Sequence, residues 1–217
     1  MTESTSQSLS RARSFTETTA SWSKRTVALA VAVALAGLIG GCGKPFNVKT
    51  APEMRDRAFA GRAASSGVSL QAAAITDEDF LYDTFDANLI MACLLPVRVK
   101  VSNESTSPLS LRSAKFELRQ SGAGGTRPVA ARRAFKRLVL FYGVTAYHIR
   151  GYKQSEQDFS SHALDVVSPL GAGESREGLL FFPVRAEFDK ATPLSLVVRG
   201  IRMGQEKGNI RFELKLD

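Results

Sequence analysis

The sequence predicts a mainly β fold, a two-sheet sandwich with one short basic helix inserted between its strands. Several short segments alternate apolar and polar residues and are separated by turns rich in Gly, Pro and Asn, which is typical of a sandwich. The stretch 129–142 instead repeats its apolar residues at helical spacing. Ahead of these segments, an apolar run at 27–39 follows two basic residues, which predicts a signal peptide and then a flexible tether before the domain.

The N-terminal segment has the order of a secretory signal: a basic pair at 24–25, the apolar run, and a Gly-Gly end. Cys42 follows, and the string 38–42, Leu-Ile-Gly-Gly-Cys, resembles the lipobox of bacterial lipoproteins. The resemblance implies that the peptide is cut before Cys42 and that this cysteine carries the lipid. An uncleaved transmembrane helix over 26–43 is the alternative, at the short limit for a hydrocarbon core of about 30 Å. Both interpretations export the C-terminal part.

This interpretation divides the chain into a signal peptide with a long Ser/Thr-rich leader, 1–41, a lipidated tether, 42–67, and the sandwich domain, 68–217. Two or more acyl chains give stable membrane attachment, so we expect the protein in the cell envelope, attached by its lipid. Gly43 is not the Asp that, by the same resemblance, favours inner-membrane retention. The outer membrane is therefore expected if the source is Gram-negative.

The charge balance favours anionic neighbours. The chain has 217 residues, 29 basic and 21 acidic side chains, and a net charge of +8. Without the four basic and two acidic residues of the leader, the net charge is +6. In an exported protein this balance suggests anionic lipid or glycan partners, and no nucleic acid is expected. Besides Cys42 the chain has only Cys93, in the apolar run 89–95, which predicts a buried, inert thiol and no disulfide within the chain.

The elements follow in order along the chain. Thr76 and the acids after it resemble a helix N-terminus ahead of the apolar residues at 80–85. Segment 96–101 alternates as a half-buried strand, and 109–118 continues the pattern with one phase slip near Ser113. Three more strands are predicted at 175–184, 194–203 and 210–216. Alternation places four residues in the core: Val99, Phe116, Phe181 and Phe212.

The segment 129–142 predicts a basic amphipathic helix. Its apolar residues are Ala131, Phe135, Leu138 and Tyr142. The opposite side of this helix is cationic and has two interpretations. It is either a charged face exposed to solvent or a contact with anionic lipid head groups. The cations on that side are Arg132, Arg133, Lys136 and Arg137.

Two segments carry a further resemblance. The run 96–105, Pro-Val-Arg-Val-Lys-Val-Ser-Asn-Glu-Ser, and the run 170–184 around Gly173-Glu174-Ser175 and Gly178 are similar to the immunoglobulin-like domains of uncharacterised bacterial lipoproteins and secreted antigens. In that family the first run forms a strand and the turn that follows it. The second run forms the start of another strand, which lies opposite the first. The chain departs from the pattern at Ala172, where the family commonly has Pro, and in the basic helix. The resemblance implies an immunoglobulin-like sandwich and no particular activity.

The sequence contains no recognisable set of catalytic residues. His148 is expected in a strand and His162 in a loop, and no nucleophile, acid pair or metal-ligand spacing accompanies them. The acids at 77–86 lack the spacing of an EF-hand. We therefore expect no enzyme, cofactor or metal, but an envelope lipoprotein that presents an interaction domain to its membrane, an anionic lipid or an envelope protein. The alternative is a carrier of a small hydrophobic or anionic ligand, which would need a cavity of several hundred Å³.

Overall fold

In the part of the chain that the structure describes, eight strands form two antiparallel sheets, so the predicted mainly β class is confirmed. The computed structural model describes residues 43–49, 58–120, 124–186, 188, 191–204 and 206–216, of which 206–209 are described by their backbone alone. Lys44–Asp217 form one compact unit. The predicted signal peptide and Cys42 lie outside the described residues.

The first sheet has the order β1-β2-β3-β6, and the second is built around β7. In the second sheet β7 pairs with β4, β5 and β8. The strands are β1 Gly61–Ser65, β2 Val68–Ala74, β3 Leu94–Asn103, β4 Leu109–Ser110, β5 Lys115–Gln120, β6 Ser175–Pro183, β7 Leu194–Met203 and β8 Glu206–Lys215. The predicted strand 109–118 is thus two strands, because a turn at Arg112 and Ser113 interrupts it where the phase slips.

Both sheets contribute to one apolar cluster. Val97, Val99 and Val101 of β3 project into it from the first sheet, as their alternation predicts, and Phe116 and Phe212 project from the second. All five side chains are buried. The two sheets therefore pack face to face across this core.

The other face of the first sheet is covered by helices. Phe181 is buried in a second cluster together with helical residues, and its neighbour Phe182 occupies the core between the sheets. The prediction that Phe181 is buried is confirmed, but it faces the helices. Arg98 lies on the face of β3 opposite to the valines, and it is only 2% exposed because the helices cover this face, where Arg98 pairs with Leu179 of β6.

Among the described residues, three helices supply this layer. They are α1 Glu78–Phe85, α2 Ala131–Phe141 and α3 Ile149–Ser161. Asp77, one residue after the expected cap, accepts a hydrogen bond from the Phe80 N–H at 3.0 Å and begins α1. The prediction of one inserted helix is wrong, because α2 and α3 both lie between β5 and β6. His148 directly precedes α3 and is not in a strand as expected, whereas His162 lies in the turn directly after α3, which fits its expected loop position.

The folded part also begins earlier than expected. Residues 44–49 pack on the helices, and β1 pairs with β2 along its whole length, so the boundary at Val68 is wrong. Both segments belong to the range 42–67 that was assigned to a flexible tether. Among the residues that the structure describes, no helix has the length and apolar character needed to span a bilayer.

Candidate functional site

Helix α2 separates its apolar and cationic residues sharply. Ala134, Phe135, Leu138 and Val139 are buried against the first sheet and the other helices. The cations on the opposite side are all exposed: Arg132, Arg133, Lys136 and Arg137. The structure therefore brings the four candidate residues together on one helical face in contact with solvent.

Helix α3 packs beside α2 and extends its cationic surface. Arg132 Nε lies 2.7 Å from Glu156 Oε1, an ion pair without hydrogen-bond geometry, since this buried oxygen accepts no hydrogen bond among the described residues. The carboxylates of α3 point inward, with Glu156 and Asp158 side chains 15% and 11% exposed. Arg150 and Lys153 are exposed. The exposed charge of the two helices is thus entirely positive.

The helix pair is antiparallel. Arg132, near the start of α2, pairs with Glu156 in the second half of α3, and the rings of Phe135 and Tyr152 lie 5.3 Å apart. Burial and the nearby Glu156 carboxylate raise the pKa of Tyr152. Because the connection between the helices is short, the end of α2 and the start of α3 lie at the same end of the pair.

Residues 44–49 form an N-terminal strap across the helical layer. Lys44 Nζ lies 3.3 Å from Asp158 Oδ2 of α3. Ser155 Oγ donates a hydrogen bond of 2.7 Å to the carbonyl oxygen of Phe46. The Phe46 side chain is buried and meets Phe135 edge to face at 6.0 Å. The strap is therefore attached to α3 by polar contacts and to the core by an aromatic ring.

The strap is also attached to α1. The Lys49 N–H donates to the Thr84 carbonyl oxygen at 2.9 Å, and the Asn47 N–H donates to Asp86 Oδ2 at 3.0 Å. Val48 between them is buried. The chain after Gly43 thus lies between α1 and α3 and belongs to the fold.

His162 holds the C-terminal end of the strap. Its Nε2 lies 2.7 Å from the Lys49 carbonyl oxygen, and since a carbonyl only accepts, Nε2 carries the proton. Its Nδ1 is buried without a hydrogen-bond partner among the described residues. Burial lowers the pKa of His162, against the smaller opposing effects of the Lys49 hydrogen bond and the Asp158 charge. A neutral, buried imidazole that binds a backbone carbonyl is a structural group here.

The segments that carry the family resemblance lie against each other. Asn103 at the end of β3 donates from its N–H to the Glu174 carbonyl oxygen at 2.9 Å, and its own carbonyl accepts from Gly173 at 2.8 Å. The buried Asn103 Nδ2 donates to the carbonyl oxygens of Ser107, Leu170 and Gly171. This asparagine holds the turn after β3 to the entry of β6.

The glycine of the second motif has a steric role. A Cβ on Gly178 would lie 2.5 Å from the backbone of Leu164, which runs parallel beside β6 at this point. Leu164 also donates from its N–H to the Leu179 carbonyl oxygen at 3.0 Å. The motif residues are therefore architectural.

Cys93 is half-buried, so the expected burial of its thiol is only partial. Its φ of 57° lies in the left-handed region, and its N–H donates to the Ile90 carbonyl oxygen at 2.8 Å. The following Leu94 N–H donates to Leu89 at 2.9 Å, which completes the paired hydrogen bonds that end a helical turn. The residue closes the turn that leads into β3.

The described residues contain no cluster of three or more His, Cys, Asp or Glu side chains able to hold a metal ion. An open groove of about 400 Å³ between α2 and α3 is lined by polar side chains. A carrier of hydrophobic ligands would need an apolar lining. The lining residues are Arg132, Lys153, Glu156, Gln157 and Ser160.

No protein-family model matches the chain, and no curated protein matches it. Among solved structures, one similar chain is a conserved hypothetical protein from Bacillus anthracis, determined as a crystal structure at 2.2 Å. The two chains share 10% sequence identity, and the match covers 74% of this chain and 94% of that chain with a TM-score of 0.38.

Sequence reasoning missed α3, the strap and the contribution of Arg150 and Lys153 to the cationic face. The buried positions of α3 include Ser155 and Asp158, so hydrophobic periodicity does not mark it. One feature of the sequence could have indicated the end of this cationic surface. From 138 to 149 the sequence has no Asp, Glu, Lys or Arg, although cations flank it on both sides.

Proposed function

We propose that the protein is a lipid-anchored, non-catalytic envelope lipoprotein that presents an immunoglobulin-like interaction domain at the membrane surface. In this proposal residues 1–41 are the signal peptide and Cys42 carries the lipid. One observation carries it: the exposed charge of α2 and α3 is entirely cationic, in the same helical layer that the strap joins just after Cys42.

The strap makes the anchor short. Only Gly43 separates Cys42 from Lys44, and two residues span at most about 7 Å. A lipid on Cys42 would hold the helical layer close to the head groups, whereas a flexible tether over 42–67 would leave the domain free to turn. The strap therefore supports a fixed orientation of the domain.

The cationic face supports contact with anionic lipid. Each of the four candidate cations of α2 contributes about 1 kcal/mol near an anionic membrane, and the attraction decays over a Debye length of about 10 Å. Since the acyl chains already supply attachment, these cations would set the side that faces the bilayer. The immunoglobulin-like assignment draws support from the face-to-face sheets and from the pairing of the two motif strands, and it adds no activity.

The test of this proposal is the replacement of Cys42. Metabolic labelling with an acyl-chain analogue should mark the wild-type chain and the Cys93→Ala control, which keeps Cys42. Cys42→Ala should abolish the label and leave an uncleaved precursor. Equal labelling of Cys42→Ala and wild type contradicts the lipid assignment.

A further inference from the structure

The connection between α2 and α3 forms an uncharged end of a cationic helix pair. We call the last two residues of α2, the connection and the first residue of α3, 140–149, the hairpin tip. The tip contains no Asp, Glu, Lys or Arg, and its aromatic residues are Phe141, Tyr142 and Tyr147. An uncharged, aromatic end between cationic helices has the composition of a surface that contacts a lipid interface.

The apolar side chains of the tip are exposed. Leu140 is 70% exposed, Ile149 74% and Phe141 49%. Single exposed apolar residues are common, but these three border one connection. Burying an apolar side chain of this size contributes about 1.5–3 kcal/mol to the stability of a fold. The three side chains at the tip do not make this contribution, because they are exposed.

Aromatic residues extend the exposed surface toward α1. The rings of Phe141 and Tyr142 lie 5.1 Å apart, and the Tyr82 hydroxyl contacts the sulfur of Met91 at 3.8 Å. Burial and a hydrogen bond with Tyr82 raise the pKa of Tyr142 to about 12, so this phenol is neutral throughout the physiological range. Tyr82 and Met91 are themselves 46% and 53% exposed.

Cations surround the tip on the helix side. Lys136 and Arg137 precede Leu140 by one helical turn, and Arg133 precedes it by two turns, on the same exposed face. Arg150 and Lys153 follow Ile149 in the first turn of α3. Long cationic side chains at such positions place their charge at the head groups while their stems cover apolar surface.

Acidic residues bound the surface on its other side. Asp79 and Asp83 of α1 are exposed and flank Tyr82 in the sequence. Because anionic head groups repel carboxylates, a contact with such a surface would place α1 at its edge and would include only the tip and the cationic helix faces. The strap lies on the same side, since the Phe46 ring meets that of Tyr142 at 5.8 Å.

We propose that Leu140, Phe141 and Ile149 insert into the interface of a bilayer with anionic head groups, while the surrounding cations bind the head-group phosphates. This proposal rests on the proposed function for the presence of the protein at its membrane, and it adds a second attachment site to Cys42. Interfacial helices bury their apolar residues about 5–10 Å deep, at the boundary of head groups and acyl chains. The tip thus adds a second contact that holds the domain in the orientation that the short strap already favours.

The experiment uses tryptophan as a depth reporter in the full chain. Trp22 is the only tryptophan of the sequence, so Trp22→Phe gives a background in which Phe141→Trp is the sole reporter. Val167→Trp is the matched control, because Val167 is 68% exposed in the loop that leads to β6. The processed proteins are reconstituted into vesicles of phosphatidylcholine with phosphatidylglycerol, with and without brominated acyl chains.

Tryptophan at 141 should emit at shorter wavelength than tryptophan at 167, and brominated chains should quench it several-fold more strongly. Leu140→Ser with Ile149→Ser should reduce the quenching at 141. Equal emission and quenching at the two positions overturns the proposal. Shielding of tryptophan 141 in native membranes but not in lipid vesicles also overturns it and assigns the tip to an envelope protein.

Mass spectrometry of the same samples separates this proposal from the proposed function. A lipidated Cys42 with tryptophan 141 still in water retains the anchor and rejects the insertion. An unlipidated chain with tryptophan 141 quenched by the bilayer rejects the anchor and retains the insertion. Melting curves of all variants show whether each substitution preserves the fold.

Discussion

His162 joins two distant parts of the chain through one buried ring. It donates to the strap at Lys49 while its ring packs against Phe85 of α1 at a centroid distance of 5.0 Å. Burial disfavours the protonated form, and Nδ1 has no hydrogen-bond partner among the described residues that would stabilise a second proton. The residue therefore stabilises the helical layer only while it is neutral.

This arrangement predicts lower stability in mild acid. The pKa of His162 is lowered in the folded state, so between that pKa and about 6.5 the unfolded chain binds a proton that the folded chain does not. The free energy of unfolding should thus decrease as the pH falls below about 6.5. Thermal melting of residues 43–217 from pH 7.5 to pH 5.5 should show this decrease.

His162→Gln should make the melting temperature less dependent on pH across the same range, even if it lowers stability at neutral pH. His148→Gln is the matched control, because His148 is exposed at the start of α3. A pH dependence that is the same in His162→Gln and in the wild type contradicts the assignment.

At the scale of elements, strand alternation predicts the core between the sheets well. Val97, Val99 and Val101 share one face of β3 and are buried there, and Phe212 is 3% exposed in β8. Alternation reports that one face is apolar and cannot report what covers the other face. For that reason alternation does not indicate that Arg98 is buried or that Phe181 faces the helices.

The covering layer was difficult to predict because its buried positions are partly polar. Ser155 and Asp158 of α3 face the protein interior, where they bind the strap. Their partners, Phe46 and Lys44, come from a stretch whose Gly, Pro, Ala and paired charges are typical of a tether. Long-range polar contacts of this kind leave no local pattern in a sequence.

Phe212→Ala tests the strand register. Truncating a buried Phe costs about 3–5 kcal/mol, and for a domain of this size each kcal/mol lowers the melting temperature by about 2–4 °C. Residues 43–217 with Phe212→Ala should therefore melt about 10 °C lower than wild type. Phe141→Ala, at an exposed position, should change the melting temperature by little. An unchanged curve for Phe212→Ala would remove β8 from the assigned register.

The cationic face of α2 predicts salt-sensitive lipid binding. In flotation assays, residues 43–217 without lipid should bind anionic vesicles at low salt, bind less as salt screens the charges, and not bind neutral vesicles. Replacing Arg132, Arg133, Lys136 and Arg137 by Gln should abolish the binding. Absence of binding at low salt would return the helix to the other interpretation, a solvated charged face.

At the scale of the whole molecule, the strap makes the N-terminus a structural part of the domain. Phe46 and Val48 are buried, and full burial of such side chains contributes about 1.5–3 kcal/mol each. Residues 50–217 should therefore melt at least about 6 °C lower than residues 43–217. Lys44→Ala should have a small effect, because its ion pair with Asp158 is 41% exposed on the lysine side. Equal melting of the two fragments contradicts the structural role of the strap.

If the chain is exported as proposed, the strap also sets an order of events during export. Its partners on α3 and beyond lie more than 100 positions later in the chain: the separation is 109 residues for Phe46 with Ser155, 113 for Lys49 with His162, and 114 for Lys44 with Asp158. A chain that crosses the membrane N-terminus first delivers the strap early and its binding surface late. In a lipid-anchored chain, the anchored end therefore waits at the membrane until the second half has been translocated. The strap can then bind α3 and His162 only after the helical layer has formed.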